Sequence, residues 1–173
     1  MIIITWNVRG IGALGKLSSI QNLIKKERPW ICGLVETKHS SLEESWISRV
    51  WNNGSIGWRD TVAVGRSGGL ILSWDSQFFD ATRSRTGRRW ILVEGRMGPR
   101  RVECGLLLVY GPSDPRERRT LWEEVRQCGR PLIAMGDFNE VRDQSERKGG
   151  WVDHSSVSTV SYTHLTLPTI CSV

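Results

Sequence analysis

Four short apolar runs, each followed by a polar side chain, constrain the fold of this 173-residue chain more than any other feature. Each run is rich in Ile, Leu or Val and has the length of a buried β-strand. The runs and their polar residues are 2–6 with Asn7, 30–35 with Glu36, 102–109 with Tyr110, and 131–136 with Asp137. Open α/β sheets hold their functional groups at the carboxyl ends of strands. The pattern therefore predicts that these side chains converge on one sheet edge.

Three amphipathic segments alternate with the apolar runs and favour α-helices. Their predicted spans are 17–26, 41–51 and 115–128. Ser41 and Glu44 have the spacing of a capping box, which predicts that the second helix opens at Ser41. Asp114 precedes Pro115 as an N-cap precedes a first-turn proline, and Gly129 is typical of a helix end. The helices and strands together indicate an α/β fold.

The middle of the chain is different, because strand-like runs follow one another with only short turns of Gly, Ser or charged residues between them. These runs are 61–64, 69–74, 90–97 and 102–110. Such close spacing favours antiparallel pairing. Strands outnumber helices, and some helices lie between strands, so we predict a layered α/β sandwich of mixed sheets.

Composition limits the partners and the cellular setting. Lys and Arg number 24 against 18 Asp and Glu, a formal net charge of +6, which favours polyanions. No apolar stretch approaches the roughly 20 residues that a membrane span needs. The four cysteines fit no zinc or disulfide spacing, and Cys32 and Cys104 lie in apolar runs that predict buried, reduced thiols. We expect an intracellular protein without a membrane or disulfide partner.

The polar residues at the strand ends suit a hard cation, because Mg²⁺ prefers oxygen ligands and keeps several waters. Asn139 extends the set, since it follows Asp137 by two residues in a Gly-Asp-Phe-Asn turn whose glycine permits a sharp strand exit. Each position also has a simpler interpretation. Asn7 could cap a turn, Glu36 could be a solvated loop charge, Tyr110 could be a packing aromatic, and Asp137 with Asn139 could form an Asx turn.

The order of five motifs along the chain resembles the endonuclease/exonuclease/phosphatase family. The motifs are WNVRG at 6–10, LVETK at 34–38, SGGL at 67–70, VYGP at 109–112 and GDFN at 136–139. The resemblance spans residues 1 to about 152. The wording of the first, second and last motifs looks like the endonuclease domains of plant LINE (non-LTR) retrotransposons. It implies a DNase I-like, four-layered α/β sandwich of mixed sheets.

The resemblance also implies a role for each polar residue. Glu36 would ligate Mg²⁺, with Mn²⁺ as an alternative, and Asn7 would shape the metal and phosphate site. Tyr110 would contact the scissile phosphate, Asp137 would orient or deprotonate the attacking water, and Asn139 would stabilise developing charge. The product would be a nicked DNA strand that primes reverse transcription, so a nuclear location and a downstream reverse transcriptase are expected.

Two departures from the family pattern affect the expected activity. Arg9 occupies a position where some relatives carry an acidic residue. The late Ser-Asp-His motif of the family is absent, and His154 follows Asp137 too closely to replace its histidine, while His39 is interpreted as a loop residue. We therefore expect the chain to be the N-terminal, C-terminally incomplete part of the domain, with little or no nuclease activity.

The final residues, 153–173, are expected to lie outside the domain formed by residues 1–152. From residue 154 onward they contain no Lys, Arg, Asp or Glu, and they resemble translated sequencing-adapter sequence. His164 in this segment is not a catalytic candidate.

An arginine-rich stretch between residues 83 and 101 supplies candidate DNA contacts. We single out Arg88, Arg89, Arg100 and Arg101, which could follow a phosphate backbone, although a solvated basic face is an equal alternative. The tryptophans at 58, 74 and 90 could stack on bases, but core packing is the stronger expectation.

Two other functions remain open from the sequence. One is an inactive retroelement fragment that binds nucleic acid weakly, with salt-sensitive, sequence-independent binding and no cleavage. The other keeps the fold and changes the substrate, as in a phosphatase, sphingomyelinase or RNA deadenylase of the same superfamily.

Overall fold

The protein is described by a computed structural model that covers residues 1–51, 55–64, 67–127 and 133–139. Its elements alternate between helices and strands at first and then run through five successive strands. In chain order they are β1 (Ile3–Asn7), α1 (Lys16–Glu27), β2 (Ile31–Val35), α2 (Glu44–Trp51), β3 (Ile56–Val64), β4 (Ser67–Asp75), β5 (Phe79–Gly87), β6 (Trp90–Met97), β7 (Val102–Tyr110), α3 (Pro115–Gln127) and β8 (Ile133–Asp137). The predicted helix end at Gly129, the strand start at 131, and the tail with its two histidines lie outside the described residues.

The strands form two four-stranded mixed sheets, with the orders β1-β2-β4-β3 and β5-β6-β7-β8. In the first sheet β1 and β2 are parallel, and β4 is antiparallel to both β2 and β3. In the second sheet β7 and β8 are parallel, and the β5-β6-β7 meander is antiparallel. The prediction of mixed sheets with antiparallel pairing in the middle of the chain is confirmed.

The two sheets pack face to face with helices on both outer surfaces, which confirms the four-layered α/β sandwich. Leu70, Leu72, Ile91 and Leu108 are among the fully buried side chains between the sheets. Helices α1 and α2 cover the outer face of the first sheet, and α3 covers that of the second. The sheets approach closely at Gly33, where a Cβ would lie only 2.6 Å from Cδ1 of Leu108.

Two local predictions are wrong, and one strand was not predicted. Helix α2 begins at Glu44 instead of Ser41, because the preceding residues take part in tertiary packing: Ala63 donates its N–H to the carbonyl of His39 at 2.8 Å, and Leu42 packs under the helix layer. Strand β3 begins at residue 56 instead of 61, and β5 was not predicted at all. Both are edge strands of their sheets, and edge strands carry few buried side chains.

The expectation of core tryptophans is confirmed for Trp74 and Trp90, which are buried, while Trp58 is half-buried against the helix layer. Cys32 is a buried free thiol, and burial raises its pKa to about 12. Cys104 is free but only half-buried. Among the described residues, no helix is long and apolar enough to cross a membrane.

Candidate active site

Four strands, two from each sheet, end at the same edge of the sandwich. In the first sheet Asn7 lies opposite Val35, so β1 and β2 finish side by side and Glu36 follows at once. In the second sheet Tyr110 lies opposite Asp137 at the ends of β7 and β8. The pairs β1–β2 and β7–β8 are both parallel, and β1 packs against β8. These polar residues therefore lie close together at one edge of the sandwich.

Asp137 links the two sheets at this edge. Its Oδ2 accepts a hydrogen bond of 3.0 Å from Nδ2 of Asn7, a residue 130 positions away in the chain. Its Oδ1 accepts the backbone N–H of Asn139 at 3.1 Å, which is the Asx turn considered as the simpler interpretation. The turn is present, and the second carboxylate oxygen reaches across to the other sheet as well.

Asn139 is fixed by its own side chain. Its Nδ2 donates to the carbonyl of Gly111 at 2.5 Å, which ties the end of β8 to the loop after β7. Gly111 in turn donates its N–H to the carbonyl of Asp137 at 2.7 Å, and a Cβ on Gly111 would lie 2.2 Å from the carbonyl oxygen of Phe138. The two loops are therefore in backbone contact, and residue 111 has no room for a side chain.

Tyr110 and Glu36 form the second link between the sheets. The Tyr110 hydroxyl donates a hydrogen bond to Oε1 of Glu36. Burial raises the pKa of the Tyr110 phenol to about 12, together with the hydrogen bond to Glu36 and the negative charges of Glu36 and Asp137, and the charge of Arg89 opposes the rise. Both carboxylates therefore act on one phenol, which stays protonated at neutral pH.

The candidate DNA-binding arginines are divided between opposite ends of β6. Arg88 and Arg89 form the β5–β6 turn beside the site, where the Arg89 guanidinium lies 5.5 Å from the centre of the Tyr110 ring. Arg100 and Arg101 lie in the β6–β7 turn, at the end of β6 that is away from the site, and Arg101 pairs with Asp80 at 2.5 Å. Eight strand residues separate the two turns, about 25 Å at the usual rise.

Residues 4–155 match the Endonuclease/Exonuclease/phosphatase family. The chain belongs to this family. Enzymes of the family hydrolyse phosphate esters or phosphodiesters, and they generally depend on a divalent metal. No curated protein matches the sequence.

Solved structures with the same fold include the human Nocturnin catalytic domain, with 17% identity, a TM-score of 0.54, and coverage of 81% of this chain and 64% of that one. A mannosyl-6-phosphatase of Bacteroides thetaiotaomicron is 11% identical, with a TM-score of 0.59 and coverage of 83% and 67%. The D. rerio TDP2 structure, complexed with a single-strand DNA product, is 17% identical, with a TM-score of 0.51 and coverage of 82% and 61%. The chain thus spans about two thirds of the length of each, and at these identities the likeness establishes the fold.

The donor set at the site fits the divalent cation that the family uses. Glu36 supplies carboxylate oxygens, and Asn7 supplies an amide whose Oδ1 accepts the N–H of Arg9 at 3.2 Å, with the Asp137 carboxylate beside Asn7. Among the described residues no group of three or more His, Cys, Asp or Glu side chains is positioned to hold a metal. Oxygen donors that leave several positions to water suit Mg²⁺ better than metals that prefer nitrogen or sulfur.

Several supporting residues were not found from the sequence. Arg118, buried on α3, donates from Nη1 to the carbonyls of Pro112 and Ser113 and so holds the loop behind Tyr110. His39 lies in a loop as predicted but is buried, and it contacts Asp60 of β3. A partial signal exists for Asp60, because acidic residues are depleted in strands, but the sequence predicts that this strand begins only at residue 61.

The Tyr110 phenol offers a direct test of the contact with Glu36. We expect Glu36→Gln to lower the pKa of Tyr110, because the substitution removes a negative charge next to the hydroxyl. The measurement is ultraviolet absorbance of tyrosinate against pH, with Tyr110→Phe identifying the contribution of Tyr162, the only other tyrosine. A Tyr110 titration that is the same in both backgrounds would show that the two groups do not interact.

The raised pKa of Tyr110 also predicts how stability depends on pH. The folded protein holds the phenolic proton more tightly than the unfolded chain, so the stabilisation is complete below pH 10 and is lost as pH rises towards 12. The Tyr110→Phe variant should show a smaller loss of stability over this range.

Proposed function

We propose that this site hydrolyses phosphodiester bonds in DNA with the help of Mg²⁺, as an endonuclease that nicks one strand. The observation that carries the proposal is the meeting of Asn7, Glu36, Tyr110, Asp137 and Asn139 at one edge. The Asn7–Asp137 and Tyr110–Glu36 hydrogen bonds cross between the sheets, and Asn139 ties the end of β8 to the loop after β7. A chance set of turn-forming residues would not be expected to link four strand ends in this way.

Each residue of the site has a separate proposed role in the reaction. Glu36 and Asn7 would hold the cation, which when bound polarises the phosphate and offsets its charge. Asp137 would orient the attacking water and accept its proton, since Asn7 and the backbone of Asn139 fix both of its oxygens. Tyr110, whose hydroxyl donates to Glu36 in this structure, would donate to a phosphate oxygen once Glu36 holds the cation.

Positive charge beside the site favours a nucleic acid over a small phosphorylated substrate. Arg88 and Arg89 lie at the turn that borders Tyr110, and the chain as a whole carries a formal charge of +6. The D. rerio TDP2 structure shows that this fold can hold a DNA strand. The residues of the WNVRG, LVETK and GDFN motifs further support a LINE-type retrotransposon endonuclease. Such an enzyme would act in the nucleus, and a reverse transcriptase would follow it in a full-length element.

Nicking of supercoiled plasmid DNA tests the proposal. With the 173-residue chain we expect slow conversion to open circles that requires Mg²⁺ and stops when EDTA removes it. The rate should be low, because the 173-residue chain does not contain the Ser-Asp-His motif of the family. Loss of a general acid–base group such as its histidine costs roughly 100- to 10 000-fold. A matched panel of polyadenylated RNA and a sugar phosphate would reveal a deadenylase or phosphatase instead.

The results separate the proposals clearly. Preferential hydrolysis of either panel substrate would replace the endonuclease proposal with the corresponding activity. Salt-sensitive DNA binding without any cleavage would support the alternative of an inactive retroelement fragment. Fast nicking would support the proposed site and contradict the expected low rate.

The division of the arginines predicts unequal roles in DNA binding. Arg88 and Arg100 are both exposed turn residues, so Arg88→Ala and Arg100→Ala change the charge equally at opposite ends of β6. We expect Arg88→Ala to weaken binding to a short duplex and to lower the slope of log affinity against log salt by about 0.9. Arg100→Ala should change neither quantity, and equal effects of both substitutions would indicate non-specific attraction to the whole surface.

A further inference from the structure

The segment that carries Glu36 leaves its strand in a strained backbone conformation. Glu36 and Lys38 have φ values of 55° and 56°, in the left-handed region that side chains other than glycine rarely adopt. Such conformations are unfavourable for residues with side chains and persist only where the surroundings hold them. The conformation that presents Glu36 to the site therefore needs support from elsewhere in the molecule.

Backbone hydrogen bonds provide part of that support. Thr37 and Lys38 donate their N–H groups to the carbonyls of Gly69 and Gly68, each at 3.0 Å. From the other side, Gly10 donates to the carbonyl of Glu36 at 2.7 Å. The segment thus lies between β4 and the loop after β1.

A chain of three polar side chains, of which Thr37 and His39 are buried and Asp60 is half-buried, continues from the same segment. The Thr37 hydroxyl lies 2.6 Å from Nδ1 of His39, and Nε2 of His39 lies 2.9 Å from Oδ2 of Asp60 on β3. In the tautomer that carries its proton on Nε2, the His39 ring donates to the Asp60 carboxylate, and Nδ1 accepts from the Thr37 hydroxyl. Thr37 is 1% exposed and His39 is 7% exposed.

The hydroxyl–imidazole–carboxylate order is also that of a nucleophilic triad, but the surroundings exclude that role. The Thr37 hydroxyl is enclosed, and a Cβ on Gly69 would lie 2.4 Å from Oγ1. A nucleophile must reach its substrate, and no substrate atom can approach this oxygen. The arrangement can position the backbone but cannot attack a bond.

We propose that Thr37, His39 and Asp60 form a positioning unit that locks residues 36–39 against β3 and β4 and thereby fixes the Glu36 carboxylate for metal binding. The proposal rests on the proposed function only in its last step, the use of Glu36 as a metal ligand. Its structural step makes a separate claim, that removing His39 loosens residues 37 and 38.

Mn²⁺ binding to the full 173-residue chain, followed by electron paramagnetic resonance, tests the metal step. Groups that orient a metal ligand typically contribute 10- to 100-fold to affinity, so His39→Ala should weaken Mn²⁺ binding about tenfold. In a Glu36→Gln background the same substitution should add little, because the ligand that it positions is already lost. Asp60→Asn, which keeps an acceptor for Nε2, should retain most of the affinity.

Ser73→Ala is the matched control. Ser73 is another buried polar residue on β4, whose hydroxyl accepts from Nε1 of Trp51 at 3.0 Å and donates to the carbonyl of Cys32. We expect this variant to lose stability without losing Mn²⁺ affinity. Equal losses of affinity in Ser73→Ala and His39→Ala would mean that general destabilisation explains the effect, and the proposal would be wrong.

Hydrogen exchange of the Thr37 and Lys38 amides tests the structural step without metal. His39→Ala should speed their exchange, while Ser73→Ala should not. Unchanged exchange in His39→Ala overturns the positioning unit. Faster exchange and unchanged Mn²⁺ affinity, in a protein whose affinity depends on Glu36, overturns the link to metal binding. Mn²⁺ binding that is indifferent to Glu36→Gln contradicts the proposed function itself and the last step of this inference with it.

Discussion

Gly136→Ala is expected to destabilise the fold by about 3 kcal/mol or more, because the added methyl group would clash with backbone atoms of the neighbouring strand. Gly136 has a φ of 140°, and a Cβ there would lie 1.9 Å from the carbonyl oxygen of Val109 and 2.8 Å from its carbonyl carbon. These are backbone atoms of the neighbouring strand β7, with which Gly136 is in register. Relief therefore requires the parallel strands β7 and β8 to separate.

Urea unfolding followed by tryptophan fluorescence measures this effect. Gly12→Ala is the control, because Gly12 is exposed and no atom lies within 4 Å of a Cβ at that position. The control should stay within about 0.5 kcal/mol of the parent protein. Equal unfolding midpoints for the two variants would show that β8 can accommodate the side chain and that the strand exit is not tightly fixed.

The sequence predicted the buried strands well because burial leaves a readable pattern. Both β6 and β7 have the predicted bounds, and almost every residue of β6 from Trp90 to Gly95 is buried. Strand β5 carries no such signal, since Phe79 is its only buried residue and the rest of the strand is exposed or half-buried. It is held by backbone pairing to β6 along the sheet edge, and pairing of this kind does not depend on apolar side chains.

The candidate site was predictable in its members and not in its contacts. Each polar residue follows an apolar run, so its place at a strand end could be inferred from the chain. The bond between Asn7 and Asp137 depends on how the two sheets stack, and no local pattern encodes that. The contact between His39 and Asp60 could not be predicted for the same reason, because helix α2 separates the two residues in the chain and only the tertiary fold brings them together.

Closeness in the sequence was also misleading for the arginines. Arg88 and Arg100 belong to one basic stretch of the chain, yet strand β6 runs between them and places them at opposite ends of that strand. A continuous basic surface along this strand would need side chains that point to the same face, and most of β6 faces the core or α3. Charge counted along the sequence therefore overstated the number of arginines beside the site.

Asp137→Ala is expected to have the largest effect on catalysis. The substitution removes the group proposed to orient and deprotonate the attacking water, and losses of general acid–base catalysis typically reduce rates by roughly 100- to 10 000-fold. It also removes both acceptors that hold Asn7 and the backbone of Asn139, so the two sheets lose one of their two polar links at this edge, and the Tyr110–Glu36 hydrogen bond is left. Plasmid nicking at saturating Mg²⁺ measures the rate, and Mn²⁺ titration measures whether the metal site survives.

Two further variants separate chemistry from structure. Asp137→Asn keeps the shape and one acceptor oxygen, so it should retain more stability than Asp137→Ala while losing a comparable part of the rate. Asp75→Ala removes a carboxylate at the opposite end of the first sheet, where its Oδ1 accepts the N–H of Gln77 at 2.8 Å, and it should leave nicking unchanged. If Asp137→Asn nicks DNA as fast as the parent chain, the carboxylate is not the base. Asp137 would then serve to join the sheets, and the proposed division of chemistry among these residues would be wrong.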